Sequence, residues 1–270
     1  MADNRRRSSA KSLVKSGAKS NASLVELRNE RRTMLADNMS FAASEAYKLL
    51  RTNLMFSFSG SEECRIIGMT SSFRGEGKSL TSMNLAYTLA EARKKVLLIE
   101  GDMRLPTMSS RLSLGATPGL SNLLVGLNSI GEAIQQFKVA VEEDATIKVD
   151  VLVSGDVPPN PSELLGSERM QSLLKVLRDH YDYIILDLPP VTAVTDALVA
   201  SRLVDGMVVV VRGNHAVRGA LDETIRQLKQ VDTRILGFVF NGAVESGSGY
   251  YRGKSYYKKN YYKKSGYYQQ

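Results

Sequence analysis

Short apolar runs alternate with longer amphipathic segments through the middle of the chain. The segments SLTSMNLAYTLAEARK and ALDETIRQLKQV have the mixed pattern of helices that cover a sheet. The apolar runs lack period-2 polarity, and their length and β-branched content predict strands buried on both faces. These runs are RIIGM from Arg65, VLLIE from Val96, VDVLV from Val149, YIILD from Tyr183, MVVVV from Met207 and ILGFVF from Ile235. The pattern predicts an α/β fold with a mostly parallel central sheet, helices on both faces, and a ligand site at the carboxyl ends of the strands.

The two ends of the chain lack this pattern. Residues 1–36 are rich in Ser, Lys and Arg, and we expect a basic, disordered arm with a short helix at its end, in ASLVELRNERR. The next segment, SEAYKLLRTNLMFSF, has the apolar spacing of a helix. From Glu245 onward Gly, Ser, Lys and Tyr predict a flexible, tyrosine-rich tail over residues 245–270, which leaves residues 37–244 as one domain.

The formal charge of +8 is concentrated at the two ends. Residues 1–36 hold 9 Lys and Arg against 3 acids, residues 245–270 hold 6 against 1, and the middle therefore has a net charge of −3. Binding of nucleic acid is not expected as the main role of the domain. It stays open as a lesser alternative, because interleaved Tyr and Lys in the tail could stack on bases and neutralise phosphates.

Cysteine and membrane signals are sparse. Cys64 is the single cysteine, and with His180 and His215 it makes a poor set of zinc ligands, so we expect a reduced, cytoplasmic setting. The apolar runs are far shorter than the ~18 to 20 residues that span a bilayer, and RRRSS is not followed by an apolar secretory segment. We therefore expect no insertion into a membrane by the chain itself.

The segment MTSSFRGEGKSLTS matches a phosphate-binding loop. The pattern G-x-x-x-x-G-K-[ST] fits at Gly77, Lys78 and Ser79, with Ser72 in the place of the first glycine. Lys78 would neutralise phosphate charge and the Ser79 hydroxyl would bind Mg²⁺, whereas the alternative is an ordinary glycine-rich turn. The predicted nucleotide contacts are Gly75, Glu76, Gly77, Lys78, Ser79 and Leu80.

Acidic residues follow two of the predicted strands. KVLLIEGDMRLP places Glu100 and Asp102 two residues apart, on one side of the chain, and YDYIILDLPP leaves Asp187 at a strand end. Three carboxylates beside a phosphate loop would repel one another unless they shared a cation, so we interpret them as organising Mg²⁺ and a nucleophile. Which of them holds a metal-bound water and which accepts a proton stays open.

Together these motifs resemble the bacterial tyrosine kinases of capsule and exopolysaccharide systems, the BY-kinases, whose P-loop NTPase fold differs from that of eukaryotic protein kinases. The resemblance covers about residues 40 to 244 and the tail. Its parts are SSFRGEGKS, LLIEGDMRLP, GDVPPNPSELLGSERM, YIILDLPPV and the tyrosine cluster. PPNPSELL is the most informative of these, because a generic nucleotidase has no need of it.

The resemblance implies ATP- and Mg-dependent autophosphorylation on C-terminal tyrosines, with catalytic roles for Lys78, Glu100, Asp102 and Asp187. Lys78 and Ser79 would hold phosphate and metal, and Asp102 and Asp187 would support Mg²⁺ through water. Glu100 stands where the family usually has the aspartate proposed as base, and its extra methylene shifts the carboxylate. The implied substrates are Tyr250, Tyr251, Tyr256, Tyr257, Tyr261, Tyr262, Tyr267 and Tyr268.

The same resemblance assigns roles to residues outside the loop. Asn241 matches a position that meets adenine in related P-loop proteins, although a turn residue is the alternative. Glu45, Lys48 and Arg51 share one helical face and resemble the E-x-x-R-x-x-R motif of ring contacts between subunits, with Lys in place of the middle Arg. A solvated charge row is the alternative to such a contact.

The competing family is that of the ParA/MinD ATPases, which share the fold. Those proteins carry a lysine early in the loop, where this chain has Phe73, and they have no reason for a tyrosine tail. Arg74 replaces a frequent proline of the kinases. A regulatory ATPase or scaffold whose tail docks a partner is a further alternative.

The expected partners follow from the kinase resemblance. They are a transmembrane polysaccharide co-polymerase or chain-length regulator that acts as activator, other copies in a homo-oligomeric ring, and a cognate tyrosine phosphatase. We expect a cytoplasmic protein of the stand-alone type, peripheral at the inner face of the membrane through its partner, with a basic arm that could touch anionic lipid.

Overall fold

The computed structural model describes residues 39–58, 63–142, 145–213 and 217–242. The arm at 1–36 and the tail at 245–270, with its eight tyrosines, lie outside these residues. The strands are β1 (Arg65–Ser71), β2 (Val96–Glu100), β3 (Ile134–Glu142), β4 (Ala145–Leu152), β5 (Tyr183–Asp187), β6 (Gly206–Arg212) and β7 (Ile235–Asn241). The helices are α1 (Phe41–Ser57), α2 (Lys78–Glu91), α3 (Met108–Leu112), α4 (Leu120–Leu124), α5 (Ile130–Ala133), α6 (Pro161–Leu165), α7 (Glu168–Arg178), α8 (Asp196–Ala200) and α9 (Arg218–Gln230), with a 3₁₀ turn at Ser201–Leu203.

The described strands form one sheet in the order β3-β4-β2-β5-β1-β6-β7. All neighbouring strands are parallel except β3, which runs antiparallel to β4. The register sets Asp187 of β5 beside both Met69 of β1 and Glu100 of β2. The predicted mostly parallel sheet is confirmed, and it brings the phosphate loop and the acidic residues to the same edge.

Two apolar layers explain why the central strands are apolar at successive positions. Alternate side chains of one strand, such as Ile66 and Ile67, point to opposite faces of the sheet. Helices α1, α2 and α3 cover one face, and α4, α6, α7, α8 and α9 contribute to the core on the other. Every residue of β2 and β5 is buried as a result.

Two strands depart from the expectations. β3 was not predicted, because Gln135, Gln136 and Lys138 interrupt its apolar pattern, as is usual for a strand at the edge of a sheet. The expected burial on both faces is wrong for β7. Phe238 and Phe240 are 51% and 64% exposed, since β7 pairs with β6 alone and lies at the opposite edge.

Candidate active site

The phosphate loop joins the end of β1 to the start of α2. Gly75 and Gly77 have φ angles of 82° and 93°, in the left-handed region that favours glycine, so both are needed for this turn. Gly77 is the N-cap of α2 and offers no side chain to it, and the first helical bond runs from the Thr81 N–H to the Gly77 carbonyl at 2.9 Å. The N–H groups of the first turn are thereby left to an anion at the positive end of the helix.

Three side chains fasten the loop to its surroundings. The buried Glu76 carboxylate accepts a hydrogen bond from the Phe73 N–H at 2.8 Å, within the loop itself. Arg212, at the end of β6, donates to the Gly75 carbonyl at 3.0 Å. Asn241, at the end of β7, donates through its amide to the Glu76 carbonyl at 2.9 Å. The ends of two neighbouring strands therefore hold the backbone of the loop in place.

The Lys78 ammonium lies between two carboxylates. Its Nζ is 3.1 Å from Asp102 and 3.6 Å from Asp187, and the three side chains are 12%, 11% and 1% exposed. Burial by itself lowers the pKa of Lys78, but Asp187 and Asp102 outweigh this effect and hold that pKa above its ordinary value. Lys78 is therefore a charged cation in a nearly dry site, and it supplies the shared cation that the acidic residues require.

Asp187 is the most deeply buried of these acids. It accepts a hydrogen bond at 3.1 Å from Ser82, and the Ser79 hydroxyl lies 3.3 Å from the Lys78 ammonium. Burial raises the pKa of Asp187 above its ordinary value, although Lys78, Ser79 and Ser82 all act in the opposite direction. Ser82 was not predicted. Its position one helical turn after Lys78, facing the sheet, was the signal that could have found it.

The Glu100 carboxylate is held by backbone N–H groups outside the phosphate loop. It accepts hydrogen bonds from the backbone N–H groups of Thr107, Met108 at 2.8 Å and Ser154 at 3.2 Å. Burial raises the pKa of Glu100, and these three hydrogen bonds reduce the rise. The two acids contact helices that cover the same face of the sheet, α3 for Glu100 and α2 for Asp102. Glu100 holds the start of α3, whereas Asp102 meets Lys78.

The donors of this site suit a nucleotide with a hard cation. Ser79, Asp102 and Asp187 offer the oxygen atoms that Mg²⁺ prefers, and Mg²⁺ typically uses one or two carboxylates together with phosphate and water. Within the described part of the chain, no group of three or more His, Cys, Asp or Glu side chains could hold a metal ion by itself.

The charged residues of α1 do not form one outward row. Lys48 pairs with Glu45 at 3.1 Å, and both side chains are more than a third exposed. Arg51 instead points at α2, where its Nη1 donates to the Thr88 carbonyl at 2.7 Å and lies 3.5 Å from Glu91. The proposed ring contact of these residues stays a prediction, with Arg51 already engaged within the chain.

Comparisons with known proteins agree with this geometry. The family described as "AAA domain" matches residues 64–237, which defines the chain as a P-loop nucleotide-binding protein. The tyrosine-protein kinase YwqD of Bacillus subtilis is 37% identical over 211 residues, which cover 77% of this chain and 86% of YwqD. The solved kinase domain of the Escherichia coli tyrosine kinase ETK is 34% identical, with a TM-score of 0.73 over 81% of this chain and 83% of that domain. The chain belongs to the bacterial tyrosine-protein kinases, and it is a protein-tyrosine kinase.

Two further likenesses bear on partners and on the competing family. The chimerical protein CapA2B2 is 31% identical, with a TM-score of 0.70 over 80% of this chain and 91% of the chimera. MinD of Pyrococcus horikoshii, solved with Mg-ADP, is 24% identical with a TM-score of 0.53, which shows a shared fold and nothing more. No helix among the residues that the structure describes is long and apolar enough to cross a membrane.

Proposed function

We propose that this kinase transfers the γ-phosphoryl group of Mg·ATP to tyrosine hydroxyls, including those of its own tail. One observation carries the proposal: the Lys78 ammonium lies at the uncapped start of α2, 3.1 Å from Asp102 and 3.6 Å from Asp187. A terminal phosphate at that helix start would meet the N–H groups of Ser79 and Leu80 together with the ammonium.

The chemistry needs a cation for phosphate and a base for a phenol. Lys78 would stabilise negative charge on the transferred group as the bond to its leaving oxygen breaks and the bond to the phenolic oxygen forms. A phenol with a pKa near 10 needs a carboxylate to take its proton. Mg²⁺, when bound, would neutralise charge on the phosphates, held by Ser79 and, through water, by Asp102 and Asp187.

The assignment of the base favours Asp102 over Glu100. Three backbone N–H groups already bind the Glu100 carboxylate, two at one oxygen and one at the other, which leaves it less acceptor capacity for a substrate proton than Asp102 has. Asp102 meets Lys78 directly and is at the edge of the loop. We propose Asp102 as the base nearest to the transferred group. Asp187, which is buried, stays paired with Lys78.

The position of Asn241 supports the tail as substrate. Its side chain touches the phosphate loop, and the chain continues from there toward Tyr250, nine residues later. An extended chain of that length spans about 30 Å, enough to return to the site beside the phosphate loop of the same chain. The tail therefore departs from the site that we propose modifies it.

Phosphorylation would reverse the charge of the tail. Its formal charge is +5, and each phosphotyrosine adds about −1.5 to −2. We propose that this reversal expels the tail from the acidic site and weakens assembly of a ring. Gel filtration before and after treatment with ATP tests this, and an unchanged assembly size would contradict it.

We further propose a role in capsule or exopolysaccharide synthesis. The chimerical CapA2B2 joins two protein parts in one chain by its name, which supports a separate activating partner for this kinase. We propose a transmembrane polysaccharide co-polymerase for that partner, a cognate phosphatase to reset the tail, and residence at the inner face of the membrane through the partner.

Incubation of the purified protein with ATP and Mg²⁺, with and without a partner peptide, tests the proposal. Mass mapping of residues 245–270 should show phosphate on the tyrosines, and the Lys78→Met variant should show far less after the same time. Phosphate on the tail of Lys78→Met at the wild-type rate would place the reaction elsewhere.

Two alternatives make different predictions for the tail. For a scaffold, replacing all eight tail tyrosines with Phe leaves function intact, whereas for a kinase it removes the phosphotyrosine signal. For a nucleic-acid-binding protein, labelled single-stranded RNA binds tightly at low salt and loses affinity when residues 250–270 are deleted.

A further inference from the structure

Asp102 lies in the loop of residues 101–107, between β2 and α3. One of its oxygens meets the Lys78 ammonium at 3.1 Å, and the other accepts a hydrogen bond from the Leu105 N–H at 3.3 Å. A loop of this length does not fix a carboxylate by itself, because each residue keeps its backbone freedom unless something holds it. The Glu100 carboxylate anchors the far end of the loop, at Thr107.

A second anchor holds the middle of the loop. Arg104 donates to both oxygens of Asp196, from Nε at 2.9 Å and from Nη2 at 3.0 Å. The Asp196 side chain is fully buried, whereas that of Arg104 is 40% exposed. Ser162, in α6, donates its hydroxyl to the same carboxylate. We refer to Arg104, Asp196 and Ser162 as the clamp.

The geometry of the clamp leaves it little freedom. A buried carboxylate is unfavourable unless it is paired and hydrogen-bonded, and the clamp supplies Asp196 with a cation and three hydrogen bonds. A guanidinium that meets both oxygens of one carboxylate does so in essentially one orientation. Because Arg104 is two residues from Asp102, that orientation also constrains the backbone that carries Asp102.

The clamp also gives a role to PPNPSELL, which the phosphate site does not use. Ser162 is the serine of this segment, and Asp196 begins α8, so the clamp joins three segments that are 34 and 92 residues apart in sequence. Arg104, Ser162 and Asp196 follow the carboxyl ends of three different strands, β2, β4 and β5. The clamp therefore ties the position of Asp102 to the body of the domain.

We propose that Arg104, Asp196 and Ser162 are positioning residues, which hold Asp102 where it can support the Mg²⁺ that accompanies the nucleotide. The inference rests on the proposed Mg·ATP chemistry. Loss of such a supporting contact around a metal site typically weakens metal affinity or activity by 10- to 100-fold. Replacing Asp196 should therefore weaken the Mg²⁺-dependent part of nucleotide binding, and leave the Mg²⁺-free part unchanged.

The test measures ADP affinity of the full-length protein with and without Mg²⁺, by isothermal titration. We expect Asp196→Asn, which keeps the shape but removes the charge, to lower the Mg²⁺-dependent gain in affinity by about 10-fold or more. Ser162→Ala, which removes one hydrogen bond, should lower it by less, and Arg104→Lys should lie between them. These milder variants keep the test decisive if Asp196→Asn does not fold.

A matched control exists at the amino ends of the strands, which we refer to as the amino edge. Arg178 and Asp205 also form an Arg–Asp pair, at 2.8 Å, and Asp205→Asn makes the same substitution far from the phosphate loop. The inference requires that Asp205→Asn keep the full Mg²⁺-dependent gain. An unchanged gain in Asp196→Asn would overturn it, as would an equal loss in both variants that tracks a lower melting temperature. If wild-type protein shows no gain with Mg²⁺, the proposed function fails first and the inference falls with it.

Discussion

The charged side chains beside the phosphate loop, at the carboxyl ends of the strands, are buried, whereas a comparable Arg–Asp pair at the amino ends is half-buried. The carboxyl edge holds Lys78, Asp102 and Asp187, with side chains that are 12%, 11% and 1% exposed. At the amino edge, Arg178 and Asp205 form a pair that is 34% and 25% exposed. A cavity of about 560 Å³ also opens at that edge, lined in part by Lys95 and Lys148.

The difference shows that concavity alone indicates the wrong end of this molecule. The amino-edge cavity is spacious, but its charges face water and interact weakly. The charges beside the phosphate loop are few and close together. Burial raises the pKa values of Asp187 and Glu100, and the neighbouring acids raise the pKa of Lys78 against the effect of its burial. Shifted and mutually compensating charges are typical of a site that performs chemistry.

Removing the central cation should have the largest effect. Lys78→Met is expected to lower the rate of tyrosine phosphorylation by about 10²- to 10³-fold, because one preorganised donor to the transferred group is lost. The melting temperature should fall as well, since Asp187 stays buried without its counter-charge. Lys95→Met, at the amino edge, is the matched control and should change neither quantity. Equal losses in the two variants would remove the distinction between the edges.

Glu100→Gln should reduce stability before it affects chemistry. A glutamine can accept from Thr107 and Met108 through its oxygen, but its amide then faces the Ser154 N–H, donor against donor. We expect a loss of about 1–3 kcal/mol in the free energy of unfolding, measured in urea. Asp102→Asn should instead lower the rate with little change in stability. A stable Glu100→Gln protein without activity would identify Glu100 as the base.

Rate and stability should respond to pH in opposite directions at the buried acids. Burial raises the pKa of Asp187 above 3.8. A carboxyl group whose pKa is higher in the folded protein stabilises it fully below the unfolded pKa, and loses that contribution as pH rises through the folded pKa. The phosphorylation rate, which needs ionised Asp187, should rise over the same window by up to about tenfold per pH unit, equivalent to about 1.4 kcal/mol.

Comparison with Asp187→Asn isolates this effect from other titrating groups. As pH falls through the pKa of Asp187 in the folded protein, the free energy of unfolding of wild type should rise relative to that of Asp187→Asn. The wild-type phosphorylation rate should fall over the same range. Parallel pH profiles for the two proteins in urea denaturation would contradict the raised pKa.

The smallest effect is expected at the amino edge. Asp205→Asn removes one charge from the pair with Arg178 and weakens the hydrogen bond from the Ile66 N–H. The expected loss is about 1 kcal/mol or less in the free energy of unfolding, because the pair is partly solvated. Kinase activity should be unchanged. A loss of activity without a loss of stability would show that the two edges are coupled.

Local patterns were sufficient to predict the central sheet and the phosphate loop. The apolar run from Tyr183 to Asp187 corresponds to β5, and GEGKS reads directly as a turn before a helix. Both depend on neighbours in sequence, where the period of apolar residues and the freedom of glycine act. The apolar pattern does not predict β3, because an edge strand needs less apolar surface than a central one.

Contacts between distant segments could not be predicted in the same way. Arg104 and Asp196 are 92 residues apart, and nothing in either local sequence indicates the other. Arg212 was missed because its bond to Gly75 arises only once β6 lies beside β1. The hydrogen-bond partners of Glu100 likewise arise only once α3 and the end of β4 lie beside β2.

Asn241 has a practical consequence for anyone who shortens this protein. Its amide ties the last described strand to the Glu76 carbonyl of the phosphate loop, only a few residues before the tyrosines begin. A truncation designed to delete the tail has to retain residue 242. A truncation that removes Asn241 would also remove its hydrogen bond to the phosphate loop and weaken nucleotide binding. The resulting inactive enzyme would be mistaken for one that lacks only its substrate tyrosines.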